Sequence, residues 1–196
     1  MDGAYTGIGQ LLEQASDVIR RQKTTTGSFG SAEGCKRVQV ESLKQFADQE
    51  KLWCDDFLLS ELTYLSSGGE NEVYTSDVDV VVKLNNFEYA GDDMENFFIR
   101  MRAHNLFFSN VPYALMGFAY NSKLEFCAVI VQSFIRAVRE ATVEEISHYL
   151  RAIGFTEDAY DEFHNERYEV FDAVPHNVLY GIDNELYFID TQIRLR

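Results

Sequence analysis

Apolar side chains recur at Ile8, Leu11, Leu12, Ala15, Val18 and Ile19, the three- and four-residue spacing of one helix face, so residues 4–21 predict an amphipathic helix. A second helix is expected over residues 40–53, with Leu43, Phe46 and Ala47 on one face and Trp53 at its end. Between them, Lys23 to Lys36 is rich in Gly, Ser and Thr and reads as a flexible linker. It contains Gly27-Ser28-Phe29-Gly30, a faint nucleotide-loop pattern; no strand precedes it, and the linker reading is preferred. From residue 58 the pattern turns to β. Glu72-Val73-Tyr74 and the run from Val78 to Lys83 flank a turn at Thr75-Ser76-Asp77 and predict a hairpin. Asp92 and Asp93 can cap a helix reaching about Phe108, with Met94, Phe97, Phe98, Met101 and Phe108 as its buried stripe. Strands are expected from Ala114 to Tyr120 and from Lys123 to Gln132, around Asn121-Ser122. Thr142-Val143-Glu144-Glu145 is a capping-box sequence that starts a short helix ending near Gly154. Residues 156–167 are polar and show no clear period. Two last apolar runs, around Val178-Leu179 and Leu186-Tyr187-Phe188-Ile189, flank a turn at Ile182 to Glu185 and close a hairpin. This order is α+β, without the regular alternation of a doubly wound sheet. Residues 1–40 read as a helical N-terminal extension with its linker, and residues 41–196 as one domain.

Composition narrows the function classes. The 196 residues suffice for one domain with a real core, and aromatics are plentiful, with 15 Phe and 11 Tyr. The formal charge of −15 repels nucleic acid and anionic membrane, so neither is expected as a partner. Nucleotide binding stays open, because a local Lys and Mg²⁺ can offset the field. Cys35, Cys54 and Cys127 are odd in number and widely spaced, which suggests reduced thiols in a cytoplasmic protein. No apolar run is long enough for a membrane helix, and the N-terminus lacks the order of a signal peptide.

The closing hairpin carries the clearest chemistry. Asp172, Asn177 and Asp190 flank it, so three oxygen-bearing side chains should converge on one small volume. Hard cations such as Mg²⁺ favour such a set, and complete their shell with water and phosphate oxygens. A polar turn between two strands is the alternative. Upstream, Gly68 and Gly69 let the backbone approach a ligand, with successive N–H groups facing phosphate oxygens; a simple turn is the alternative. Lys83 ends Val80-Val81-Val82-Lys83, where strand alternation puts Val81 and Lys83 on one face. Lys83 would hold α- and β-phosphates and Val81 would line the adenine pocket; the alternative is a Lys at a solvated strand end. His104 is read as a satisfied core histidine, or one bonding to the loop of Asp190.

Asp-x4-Asn followed by Asp resembles the catalytic loop and metal-binding Asp of protein kinases. Ser66, Gly68, Asn71 and Val73 resemble a reduced kinase Gly-rich loop, and Val80 to Lys83 resembles the kinase strand that carries the phosphate-binding Lys. Further features are Trp53-x-Asp55-Asp56, Arg102-Ala103-His104-Asn105, Gln132-Ser133-Phe134-Ile135, Asn177-Val178-Leu179 and Leu186-Tyr187-Phe188-Ile189-Asp190. Together they make the chain, from about residue 41 onward, similar to the Ser/Thr/Tyr kinase-like domains of polyvalent proteins of phages and mobile elements. The resemblance implies a minimal protein-kinase-like fold: an antiparallel N-lobe sheet, one central helix and a reduced C-lobe ending in a β-hairpin. It implies ATP and Mg²⁺ as cofactors, with Gly68, Gly69, Val73, Val81, Lys83 and Gln132 at the nucleotide, Gln132 standing in the hinge segment. Glu95 would pair with Lys83, with Glu88 as the second candidate; Glu95 would also simply favour its helix dipole. Asn177 and Asp190 would hold the metal, and Asp172 would accept or orient the acceptor's hydroxyl proton.

The chain departs from the kinase pattern in places. Val170 and Phe171 stand where His and Arg precede the catalytic Asp, and Thr191-Gln192 comes after Asp190 in place of Phe-Gly. The expected function is γ-phosphate transfer to a hydroxyl of an unidentified protein or small molecule. The alternatives are a catalytically inactive pseudokinase-like nucleotide-binding or interaction module, and an acidic protein that mimics nucleic acid.

Overall fold

The computed structural model describes residues 5–25, 32–54, 60–76 and 79–196. Residue 4, the Gly27-Ser28-Phe29-Gly30 stretch, Asp55, Asp56, residue 58, Asp77, Val78 and the side chain of Ile8 lie outside these residues. The chain divides into two compact units, one of residues up to Phe98 with Tyr113–Gln132, the other of Ile99–Pro112 with Ser133–Arg196.

In the first unit, α1 (Tyr5–Thr25) and α2 (Ala32–Glu50) bury the apolar stripes expected of them: Leu12, Ala15, Ile19, Leu43 and Ala47 are sealed from solvent. The helices are longer than the sequence pattern implied, and they occupy both ends of the stretch read as a linker. The second helix also stops earlier than expected. Lys51 takes a left-handed φ of 57°, so Trp53 falls beyond the helix end.

A five-stranded sheet comes next, in the order β1-β2-β3-β5-β4, with β1 (Thr63–Ser67), β2 (Asn71–Ser76), β3 (Val80–Asn85), β4 (Ala114–Tyr120) and β5 (Phe126–Ser133). The first strand went unpredicted, because every residue of it is exposed and it carries no alternation. Thr75 and Ser76 belong to β2, paired with Val81 and Val80, so the hairpin turn begins later than the pattern suggested. One sheet face packs Val82, Leu84, Ala119, Cys127 and Val129 into a core, and burial there pushes the Cys127 thiol up to about 12.

Past β4, Trp53 bridges Phe118, whose N–H donates to the Leu52 carbonyl at 2.9 Å while Cys54 N–H donates to the Phe118 carbonyl at 2.8 Å. This approach needs Gly117. A Cβ there would overlap the Leu52 carbonyl oxygen and sit 3.1 Å from Cys54 Sγ.

The helix α3 (Glu95–Phe107) starts as expected. Asp93 Oδ1 accepts from Glu95 N–H at 3.0 Å, and buried Gln39 of α2 accepts from Met94 N–H and donates to Asp93, each at 2.9 Å. Met94, Phe97 and Phe98 are fully buried in this unit.

The second unit holds the rest of α3, α4 (Val143–Ala152) and two small sheets. One is β11-β10-β6, from β6 (Ala137–Glu140), β10 (Val178–Gly181) and β11 (Leu186–Phe188); the other is β12-β9-β8-β7, from β7 (Thr156–Ala159), β8 (Glu162–His164), β9 (Tyr168–Phe171) and β12 (Gln192–Leu195). The second sheet occupies the stretch that looked aperiodic. The expected capping box is present in full: Thr142 Oγ1 accepts from Glu145 N–H at 3.2 Å, and Glu145 accepts from Thr142 N–H at 2.8 Å. Phe108, Phe155, Phe163, Val170, Val178 and Phe188 are among the buried side chains of the core, with Phe108 and Phe188 stacked 4.2 Å apart. The three cysteines are free thiols, and among the described residues no helix is long and apolar enough to cross a membrane.

A methyl group at Gly117 would have to displace the Leu52 backbone. Gly117→Ala should cost about 1–3 kcal/mol of unfolding free energy in urea. It should also shift the emission of Trp53, the single tryptophan, which stacks on Tyr120 at 5.6 Å.

Candidate functional site

In the first unit, Val73 pairs directly with Lys83, and Val81 lies two residues away on the same strand, so all three share one sheet face. Lys83 is not at a solvated strand end: it is 6 % exposed, and its Nζ donates to the Tyr113 hydroxyl at 3.3 Å and lies 5.1 Å from that ring. Burying an ammonium costs several kcal/mol unless partners compensate, so a Lys at this depth is held for a reason. Tyr113 was not foreseen; it stands 30 positions away in sequence and no local pattern joins the two.

Gly68 and Gly69 form the turn from β1 to β2, where Gly68 N–H donates to the Asn71 carbonyl at 2.9 Å. The same turn borders a pocket of about 280 Å³ on the other sheet face, lined among others by Glu72, Tyr74, Ser122 and Glu125. Burial would raise the Glu72 carboxyl, but hydrogen bonds from Ser122 and Tyr74 outweigh it and hold the group below the usual carboxylate range. Burial and the Glu72 carboxylate push the Tyr74 phenol up to about 12. Lys123 also lines this pocket, and the opposite face of the sheet carries Val73, Val81 and Lys83.

Glu95 is the first residue of α3, with its side chain 14 % exposed and Oε1 3.8 Å from Arg20 Nε of α1. Glu88 is exposed in a short 3-10 helix. Gln132 is buried at the end of the first unit, and the chain enters the second at Ser133.

In the second unit the structure brings Asp172, Asn177 and Asp190 to one end of the β10–β11 hairpin. Asn177 precedes β10 and Asp190 lies just past β11, and Ile189 N–H donates to the Asn177 carbonyl at 2.9 Å. Asn177 Nδ2 donates to the Asp172 carbonyl at 3.0 Å. That bond uses one donor of the amide, whose Oδ1 is an acceptor. Asp172 is exposed, with a left-handed φ of 58° that Asp tolerates better than most residues. The oxygens of Asn177 and Asp190 are of the kind Mg²⁺ takes.

His104 is buried, with Nε2 3.2 Å from the Val111 carbonyl. Arg100, also buried, donates to Gln192 at 3.0 Å, a contact without a sequence signal.

A buried Lys on a strand face, a glycine turn one strand earlier, and an Asp–Asn–Asp set around a hairpin are features that a kinase-like protein would present. A family described as Serine/Threonine/Tyrosine Kinase found in polyvalent proteins matches residues 36–196, and the chain belongs to it. Neither the curated proteins nor the solved structures contain a match.

This geometry makes two outcomes testable. Asn177→Ala removes the donor to the Asp172 carbonyl and should cost about 1 kcal/mol in denaturant unfolding. Glu72 is held below its unfolded pKa, so its contribution is full above the ordinary carboxylate range and fades as pH falls through the lower folded value. Glu72→Gln should therefore flatten the acid limb of stability against pH, read from urea melts taken from neutral pH downward.

Proposed function

We propose that this protein is a reduced protein-kinase-like fold that binds Mg-ATP and transfers its γ-phosphate to a hydroxyl. The first unit stands for the N-lobe and the second for a shortened C-lobe. The observation that carries this reading is the assembly of Asp172, Asn177 and Asp190 at one hairpin end, with the Asn177 side-chain amide bonded to the Asp172 carbonyl.

In this reading Lys83 holds phosphate oxygens, the backbone of Gly68 and Gly69 lies close to the nucleotide, and Val73, Val81 and Gln132 contact the base. Glu95 orients Lys83. Asn177 Oδ1 and Asp190 hold magnesium, which when bound neutralises charge on the phosphates. The acceptor oxygen bonds to the γ-phosphorus as the bond to the β,γ-bridging oxygen breaks; ADP leaves, and the hydroxyl proton passes to Asp172.

A second reading, a pseudokinase-like binding module, is favoured by the course of the chain after Asp190. Only Thr191 separates that residue from β12, so the chain re-enters a sheet where kinases carry an activation segment.

The test is a thermal melt with and without Mg-ATP on wild type, Lys83→Ala and Asp190→Asn. At a hundredfold excess over Kd, ligand should stabilise wild type by about 2.7 kcal/mol, and both variants should lose the shift. No shift in well-folded wild type defeats the reading. A shift without γ-phosphate transfer to any hydroxyl leaves the pseudokinase reading in its place.

A further inference from the structure

We propose that Gln192 is a positioning residue that sets Asp190 for the metal, with buried Arg100 as its anchor; the metal part of this role rests on the reading above. Gln192 opens β12, and both ends of its side-chain amide are engaged. Its Oε1 accepts from Arg100 Nη1 at 3.0 Å, and its Nε2 donates to the Asp190 carbonyl at 3.3 Å. The two partners demand the same orientation. A guanidinium can only donate and a backbone carbonyl can only accept, so the amide oxygen must face Arg100 and the nitrogen Asp190. Arg100 is 6 % exposed and stands on α3, one turn before His104, whose Nε2 lies 3.2 Å from the Val111 carbonyl. A guanidinium at this depth is costly unless its donors are met, so its acceptors hold it in one place.

The chain is held on both sides of the Asp190 side chain. Before it, Ile189 N–H donates to the Asn177 carbonyl at 2.9 Å; after it, the Asp190 carbonyl takes the Gln192 amide. These two peptide groups set where the Asp190 Cα lies, and so where its carboxylate starts from. Gln192 also pairs across the sheet with Phe171, the residue before Asp172. One residue thereby joins the approach to Asp172 with the exit from Asp190, and all of these residues lie in the second unit. A glycine at 192, as in the kinase pattern, would make neither side-chain bond. The departure from that pattern is in this chain a brace. A metal ligand whose place is fixed by outer hydrogen bonds needs less ordering when the ion arrives.

The test uses Gln192→Met, Arg100→Met and the double variant in the full chain. Methionine keeps roughly the length of glutamine and removes both bonds. Two readouts are taken: hydrogen exchange at the Ile189 amide without ligand, and ATP affinity with Mg²⁺ and with EDTA. Each single variant should speed exchange at Ile189 by about tenfold. Each should shrink the gain in ATP affinity that Mg²⁺ gives by about tenfold, and leave the affinity in EDTA unchanged. The double variant should be no worse than Gln192→Met alone. Unchanged exchange, or an unchanged Mg²⁺ gain, in folded Gln192→Met overturns the positioning role. Equal loss with Mg²⁺ and with EDTA overturns it too, because a merely structural part would weaken both alike. Additive effects in the double variant overturn the anchor. Gln192 is only half-buried, so Gln192→Met decides by itself if Arg100→Met does not fold. If wild type binds no ATP, the proposed function fails, and exchange at Ile189 alone decides whether Gln192 braces this loop.

Discussion

Three hydrogen bonds meet at Asn177, and the candidate chemistry of the second unit depends on them. Its N–H reaches back to the Val174 carbonyl, its side chain to the Asp172 carbonyl, and its own carbonyl takes the Ile189 N–H. One residue therefore fixes the end of β9, the short 3-10 turn at Pro175–Asn177 and both strands of the closing hairpin. The hairpin is in turn braced by β6, which pairs with β10 from the other side. Polar side chains can stand at the rim because the strands behind them bury Val178 and Phe188 completely. Specificity of position comes from the amide, and the free energy that keeps it there comes from the apolar strands.

The first unit works on a different balance. A cation is buried in the sheet beside an aromatic hydroxyl, while a carboxylate, Glu72, is buried on the opposite face and satisfied by Tyr74 and Ser122. Ser122 donates to Glu72 at 2.5 Å from the turn between β4 and β5. Lys83 and Glu72 thus sit on opposite faces of one sheet.

Much of this was readable from residue order. The β4 strand, the capping box and the closing hairpin come from a short apolar run, from a Thr three residues ahead of a Glu, and from two apolar runs around polar turn residues. The short strands β1, β6, β7, β8 and β9 were not legible, since their partners, not their own pattern, make them strands: β9 pairs with β12 some twenty residues on, and β6 with β10. The stop of α2 at Lys51 rests on one backbone angle at a residue type that gives no warning of it. At the candidate site, the placing of Asp172, Asn177 and Asp190 around the closing hairpin was readable from their spacing, whereas the contact of Tyr113 with buried Lys83 was not, since it crosses a stretch of chain with no shared motif.

The strip Leu52-Trp53-Cys54 laid along Phe118 has a bearing on association. A sheet with two bare edges can recruit strands at both and grow without limit. Here the β4 side is taken by the chain's own backbone, held there by the missing side chain of Gly117. Among the described residues, the edge left for addition is β1, five exposed residues with a register break between Tyr64 and Ser66. Two copies joined edge to edge at β1 would turn covered edges outward, so self-association through this sheet closes at a pair and does not run on to a fibre.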